Sequence, residues 1–361
     1  MTIATQKIKM EFDYSSGMKI PAATVLRALV SDSHDPAVLK SSFGGPDLFD
    51  LLLKDVERRD AALPGIVQHV FSRIPGESGQ EAAGRLVALT RIWDAGHRPS
   101  LPAIVLARLD QMGLDATLPL SKTLILAAAR AEKVSEASDG EEPVYHNRVH
   151  TMQVFQSVCY LLMAHRELSA KASATKDQLL QVALTPFEEL ILMIAAVSHD
   201  VDHNGKGNPK EQAYYNEDIS TACIFPFVSV LTNDNGIFGA IRDLVRFTDP
   251  AAPREQLKKI IDDFRAEKPD ASRTPAFWVQ AAMLADSDLL FSCGAGPEAM
   301  AVNSTKLTKE VQKAGINIDF TTAASSKIFM DKIVGPEGFL SGSARAVFNP
   351  VYIQLRHSLA L

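Results

Sequence analysis

The strongest constraint on this chain is an apolar helix that runs into a group of ionisable residues. The segment TPFE (residues 185–188) is a helix start, because threonine caps the helix, proline fits its first position and glutamate completes a capping box. The run Leu190–Val197 is apolar on nearly every face, so the helix should be buried. It leads into HDVDH (residues 199–203). Burying these groups costs free energy unless they are paired or bind a metal, so a purely stabilising role is hard to defend.

Helix signals also dominate the rest of the chain. Pro46, Pro119 and Pro275 each open a stretch with helical periodicity, the last one directly after the capping residue Thr274. The sequence has no sustained alternation of the β type and no internal repeat. Alanine and leucine are abundant, whereas aromatic residues make up only 7% of the chain. We therefore expect an all-α fold, a multi-helix bundle.

A polar, acidic stretch at residues 133–143 (KVSEASDGEEP) divides the helical pattern. A length of 361 residues suits two domains or one large domain with subdomains. We expect an N-terminal helical region of unknown role at residues 1–132, a linker at 133–144 and a catalytic domain at 145–361. The N-terminal region could be a helical subdomain, a dimerisation surface or a separate sensory domain.

Charge and cysteine content exclude several classes of protein. Lysine and arginine number 37 against 43 acidic residues, a net charge of −6, and without a basic run we expect no nucleic-acid partner. The longest apolar run falls far short of the roughly 20 residues that cross a bilayer, and the N-terminus lacks the apolar core of a signal peptide. Three scattered cysteines suit a reducing compartment. We expect a cytoplasmic protein without a membrane partner, and a homodimer stays open.

Three segments carry the candidate chemistry. YHNRVH (145–150) places two histidines four residues apart, which on a helix would put both rings on one face. HDVDHNGKGN (199–208) follows the buried apolar helix. ADSD (285–288) lies inside another apolar helix, where a buried carboxylate would need a partner to offset the cost of its burial. Alternatively, Asp286 or Asp288 could point to solvent.

Together these segments supply a set of metal ligands. His150, His199, Asp200 and Asp286 give two imidazoles and two carboxylates, which suit Zn²⁺, Mn²⁺ or Fe²⁺ with positions left for water. A carboxylate such as Asp200 can bridge to a second, harder ion, Mg²⁺ or Mn²⁺. Two such ions can lower the pKa of a shared water and clamp a phosphate. The pattern therefore predicts metal-dependent hydrolysis of a phosphodiester, with a nearby histidine protonating the leaving oxygen.

The three segments resemble the motifs of the class I 3′,5′-cyclic nucleotide phosphodiesterases, a branch of the HD-type metal phosphohydrolases. That family has a YHNxxH segment, an HDxxHxGxxN segment and a later AD segment, and all three occur here in this order. The second motif is the specific one. The resemblance covers roughly residues 143–288. It implies a helical HD-type domain that hydrolyses cyclic AMP or cyclic GMP to the 5′-nucleotide with a hydroxide held between two metal ions.

The resemblance also implies a role for each motif residue. His146 is expected to be the general acid for the leaving oxygen, and His203 to contact the hydroxide or a metal-bound water. Tyr145 and Asn208 are expected to support the site. The ligands that the resemblance implies for the first metal, with the first aspartate bridging to the second, are Asp200, Asp286, His150 and His199.

Two departures from the family pattern leave alternatives open. Cys223 stands where the family has a glutamate that tunes the hydrogen bonds of the site, and we interpret it as a small buried residue. The family's purine-binding glutamine and phenylalanine have no match, since Gln312 lies in a polar helix and Gln354 is close to the chain end. An HD-type enzyme for a different phosphate ester and a non-catalytic nucleotide-binding module are the alternatives.

Overall fold

The computed structural model describes residues 21–63, 67–134, 142–171, 177–209, 211–249, 252–268 and 270–359. Over these residues every regular element is a helix, so the predicted all-α fold is confirmed. None of the described helices is both long and apolar enough to span a bilayer. The helices are α1 Ala22–Ser31, α2 Pro36–Ser42, α3 Pro46–Ala61, α4 Gly79–Asp94, α5 Leu101–Gln111, α6 Pro119–Val134, α7 Arg148–Ser169, α8 Pro186–Ser198, α9 Tyr215–Ala222, α10 Phe225–Thr232, α11 Asn235–Val245, α12 Ala252–Arg265, α13 Pro275–Leu289, α14 Pro297–Lys313, α15 Ala323–Phe329 and α16 Gly342–Ser358.

Helix α8 lies at the centre of the bundle. The hydroxyl of Thr185 accepts the N–H of Glu188, and the Glu188 carboxylate accepts the N–H of Thr185, so the predicted capping box forms. Every residue from 189 to 198 is buried. Helices α6, α7, α11 and α13 pack around α8. This packing places the ionisable residues that follow α8 where several helices meet.

The helices before and after residue 144 share one hydrophobic core. The buried cluster runs from Ala22 in α1 to Leu355 in α16, and α6 packs along α5, α8 and α10. Lys133 and Val134 end α6, while residues 135–141 lie outside the described residues. The division into residues 1–132, 133–144 and 145–361 stays a prediction.

A buried ion cluster ties α6 to the N-terminal helices. Glu132 accepts hydrogen bonds of 2.6 and 2.7 Å from Arg98 and of 2.6 Å from Arg59, and a further bond of 2.5 Å from the N–H of Leu101. Burial opposes ionisation of Glu132, but the two guanidinium groups outweigh it and hold the pKa of this carboxyl well below its usual range.

We expect Glu132→Gln to lower the free energy of unfolding near neutral pH by about 3 kcal/mol, because it leaves two largely buried guanidinium groups without their counter-charge. The folded pKa lies below the ordinary value of 4.5, so the carboxylate's contribution is complete above that pH and is lost as the pH falls through and below it. Urea unfolding should show the gap between wild type and variant shrinking in acid. A gap that stays constant from neutral pH to about pH 3 would contradict this.

Candidate active site

The first motif forms the start of α7. The helix begins at Arg148, and the side-chain oxygen of its cap, Asn147, accepts the N–H groups of Val149 and His150. His146 therefore precedes the helix, and the prediction that the two motif histidines share one helix face is wrong. The extended backbone of the cap ends the helical repeat before His146. The two rings still approach edge to face, with centroids 5.7 Å apart.

Four side chains from the ends of three helices converge beyond α8. The Nε2 atom of His150 lies 3.2 Å from Oδ2 of Asp200 and 3.1 Å from Oδ1 of Asp288. The Nε2 atom of His199 lies 3.0 Å from Oδ2 of Asp200 and 3.4 Å from Nε2 of His150. Nδ1 of His199 donates to the carbonyl of Ala196 at 2.9 Å, which leaves Nε2 as the ring nitrogen that faces the cluster.

This geometry fits a divalent cation. His150, His199 and Asp200 each offer a ligand atom, and these atoms lie within 4.8 Å of one another. The two Nε2 atoms face each other, and Oδ2 of Asp200 is buried beside both rings without a hydrogen bond of good geometry. Two imidazole nitrogens and a carboxylate oxygen that lie this close together form a donor set that one cation can bridge. Imidazole nitrogens with carboxylate oxygens suit Zn²⁺, Mn²⁺ or Fe²⁺.

Asp286, the predicted fourth ligand, lies outside this group. Its buried carboxylate accepts the N–H groups of Leu340 at 3.0 Å and Ser341 at 2.7 Å, and lies 3.5 Å from Arg254. Burial raises the pKa of Asp286, and Arg254 offsets this only in part. Two residues rotate a helix by about 200°, so Asp286 and Asp288 leave α13 on opposite sides. The structure therefore does not bring Asp286, the predicted ligand, to the cluster, whereas Asp288 lies within hydrogen-bond distance of His150 there.

A carboxylate that the sequence analysis did not identify holds His146. Glu310 pairs with Nδ1 of His146 and accepts the backbone N–H groups of Tyr145 at 2.6 Å and His146 at 3.1 Å. A Cβ at Gly205, which has φ +70°, would meet Cγ of Glu310 at 3.2 Å, so the motif glycine leaves room for this side chain. In the sequence, Glu310 beside Lys309 looks like an ordinary charge on the polar face of a helix.

His146 and His203 form a stacked pair with different electrostatics. Their ring centroids are 4.0 Å apart, and both rings lie close to Asp200. Burial alone would lower the pKa of His146, but Asp200 and Glu310 outweigh burial and raise it. Burial and the neighbouring His146 lower the pKa of His203 to about 4. The environment therefore favours the charged form of His146 and the neutral form of His203.

The two predicted supporting residues connect the motifs to their surroundings. The amide of Asn208 donates to Glu217 at 2.9 Å and accepts the N–H of Asn216 at 2.8 Å, which ties the end of the second motif to α9. The hydroxyl of Tyr145 lies 3.0 Å from that of Ser292, in the wide helical turn Leu290–Gly294 that follows Asp288. These contacts fix loops on two sides of the cluster.

The two aspartates of α13 allow a direct comparison. We expect Asp288→Ala to lose bound metal while the unfolding temperature of its metal-free form stays close to that of metal-free wild type. We expect Asp286→Ala to lower the free energy of unfolding by about 2–4 kcal/mol, because buried N–H groups and Arg254 lose their partner. Elemental analysis and thermal unfolding in chelator measure both effects. The opposite pattern would show that Asp286 is the ligand.

Comparison with known proteins supports the resemblance. A family model described as 3′5′-cyclic nucleotide phosphodiesterase matches residues 145–233, which contain the first two motifs. The solved structure of a Leishmania phosphodiesterase, LmjPDEB1 in complex with IBMX, is similar over 85% of this chain and 96% of that chain, with a TM-score of 0.53. At 14% identity, this likeness concerns the fold. A search of curated proteins finds no match.

Proposed function

We propose that the chain carries a class I 3′,5′-cyclic nucleotide phosphodiesterase domain and that the four converging side chains are its metal centre. The observation that carries the proposal is the convergence of two imidazole nitrogens and two carboxylates, separated by up to 138 residues in sequence, on one point. We further propose that the product is the 5′-nucleotide. The proposed ligands are His150, His199, Asp200 and Asp288.

Two cations fit the donors that surround the site. The first, Zn²⁺, Mn²⁺ or Fe²⁺, would be held by the mixed imidazole and carboxylate set. Asp200 also lies in a second group of ligand atoms with His146 and His203, so its carboxylate can reach a second ion, Mg²⁺ or Mn²⁺. When bound, the ions supply a water of lowered pKa and positive charge for the phosphate oxygens.

The protein's own residues account for the proton that the leaving oxygen needs. Glu310 holds Nδ1 of His146, so the second ring proton, on Nε2, is free to be donated to the 3′ oxygen. The neighbouring ring of His203 has a pKa of about 4 and is neutral at the same pH, so it can accept a hydrogen bond from water. The two stacked rings therefore have different roles: His146 donates the proton, and His203 accepts a hydrogen bond that orients water.

We expect His146→Gln to reduce kcat on cyclic AMP or cyclic GMP by about 10²- to 10⁴-fold, because the 3′ alkoxide leaves without a proton. A p-nitrophenyl phosphodiester, whose leaving group needs no proton, should lose less than about 10-fold. Steady-state kinetics on both substrates, with metal content measured in parallel, tests this. Equal losses on both substrates at full metal content would contradict a general-acid role.

The proposed activity is tested by measuring turnover of cyclic AMP, cyclic GMP and aryl phosphate esters before and after metal removal. We expect the cyclic nucleotides to be hydrolysed, with activity lost in chelator and restored by Mn²⁺ or Mg²⁺. His199→Ala and Asp200→Ala should abolish turnover and keep the helical circular dichroism signal. Turnover of the aryl esters alone would indicate a different phosphate ester. Stoichiometric nucleotide binding without turnover would indicate a non-catalytic module.

We propose a cytoplasmic location for the protein. The support is that Cys159, Cys223 and Cys293 are free thiols, which suits a reducing compartment. A homodimer stays a prediction.

A further inference from the structure

Arg130 of α6 reaches the second motif from a part of the chain that the family match does not include. Its Nη2 atom lies 3.0 Å from Oδ2 of Asp202. The thiol of Cys223 donates to the same oxygen at 2.7 Å. Cys223 is therefore not the purely apolar residue that the sequence suggested. A guanidinium and a thiol hold one carboxylate beside the proposed metal centre.

The backbone of Asp202 explains why this carboxylate needs to be held. Asp202 has φ +63°, in the left-handed region that residues with a Cβ adopt at a cost. Such conformations persist where the surrounding contacts over-determine them. The N–H of His203 bonds to the carbonyl of Asp200 at 3.1 Å and closes a tight turn around Asp202.

Both ends of this turn belong to the proposed active site. Asp200 lies among the metal ligands, and His203 stacks on His146. A rotation of the backbone at Asp202 would move these two side chains relative to each other. The turn is therefore the point at which a contact outside the motifs can control the geometry within them.

Arg130 is suited to fix the turn because it extends from a rigid helix. Residues 124–129 of α6 are all buried, and α6 packs along α8. The side chains of Arg130 and Asp202 are 16% and 22% exposed, so solvent screens their attraction only in part. Burial and Asp202 raise the pKa of Cys223 to about 12, so the thiol is a neutral donor and Arg130 provides the positive charge.

We propose that Arg130 is a positioning residue for the phosphodiesterase reaction, which fixes the turn at Asp202 and thereby orients Asp200 and His203. Through α6, the N-terminal helical region then completes the active site. This inference rests on the proposed function, since it assumes that Asp200 and His203 act in the reaction.

The full chain with Arg130→Met, Arg130→Lys or the control Arg166→Met tests the proposal. Arg166 pairs with the buried Glu189 on α8, but it lies 16 residues along α7 from His150, about 24 Å away. We expect R130M to lower kcat by roughly 10- to 100-fold with KM changed by less than about threefold, and R130K to recover most of kcat. R166M should leave kcat and KM unchanged.

A second measurement separates positioning from general destabilisation. Calorimetric titration of the chelator-treated protein with Mn²⁺ should show weaker binding in R130M and unchanged binding in R166M, at a temperature where circular dichroism shows both folded. Asp202→Asn should lower kcat as R130M does, and the double variant should lose no more than either single one.

Wild-type kcat and Mn²⁺ affinity in R130M, or strictly additive losses in the double variant, would overturn the role of Arg130. A wild-type protein without turnover of any cyclic nucleotide would instead overturn the proposed function, whatever R130M does. The two failures are therefore distinguishable.

Discussion

The structure depends on the desolvation of charged groups at the end of an apolar helix. Helix α8 is buried from Glu189 to Ser198, and His199 and Asp200 follow it into a region that water reaches poorly. An unpaired carboxylate there would cost several kcal/mol. Helices α7 and α13 bring His150 and Asp288 to the same point, and the pKa of Asp200 stays well below its usual range despite burial, because His199 and His146 stabilise its charge. The approach of α7 and α13 to the end of α8 thus meets the same electrostatic requirement that the proposed chemistry uses.

Charged residues two positions apart on one helix have separate tasks around this centre. On α13, Asp286 anchors the loop before α16 through the N–H groups of Leu340 and Ser341, while Asp288 faces the histidines. The same separation occurs on α6. Arg130 extends toward Asp202, and Glu132 binds the arginines that join α3 to the segment before α5. The end of α6 therefore couples the N-terminal helices to the candidate active site through buried or half-buried charges.

The stacked histidines show how the environment shifts the pKa values of one residue type in opposite directions. His146 has Glu310 at Nδ1 and Asp200 nearby, so its pKa rises against the effect of burial. His203 shares the burial and lies against a ring that carries positive charge, so its pKa falls. A Cβ at Gly205 would crowd Glu310, since it would meet Cγ of that side chain at 3.2 Å. A glycine of the second motif therefore leaves space for the carboxylate that pairs with His146 of the first motif.

The sequence by itself determined the helical class, the start of α8 with its capping box and the three segments that carry the candidate site residues, because periodicity and capping are local properties. Only the tertiary structure decided that Asp288 rather than Asp286 faces His150 and that His146 lies before α7, since these depend on the phase and the exact start of a helix. It also decided the partners Glu310 and Arg130, which are 164 and 72 residues from the groups they hold. The sequence around a charged helix residue does not show whether its side chain faces water or a partner. The partner comes from a distant part of the chain and is placed by the packing of other helices.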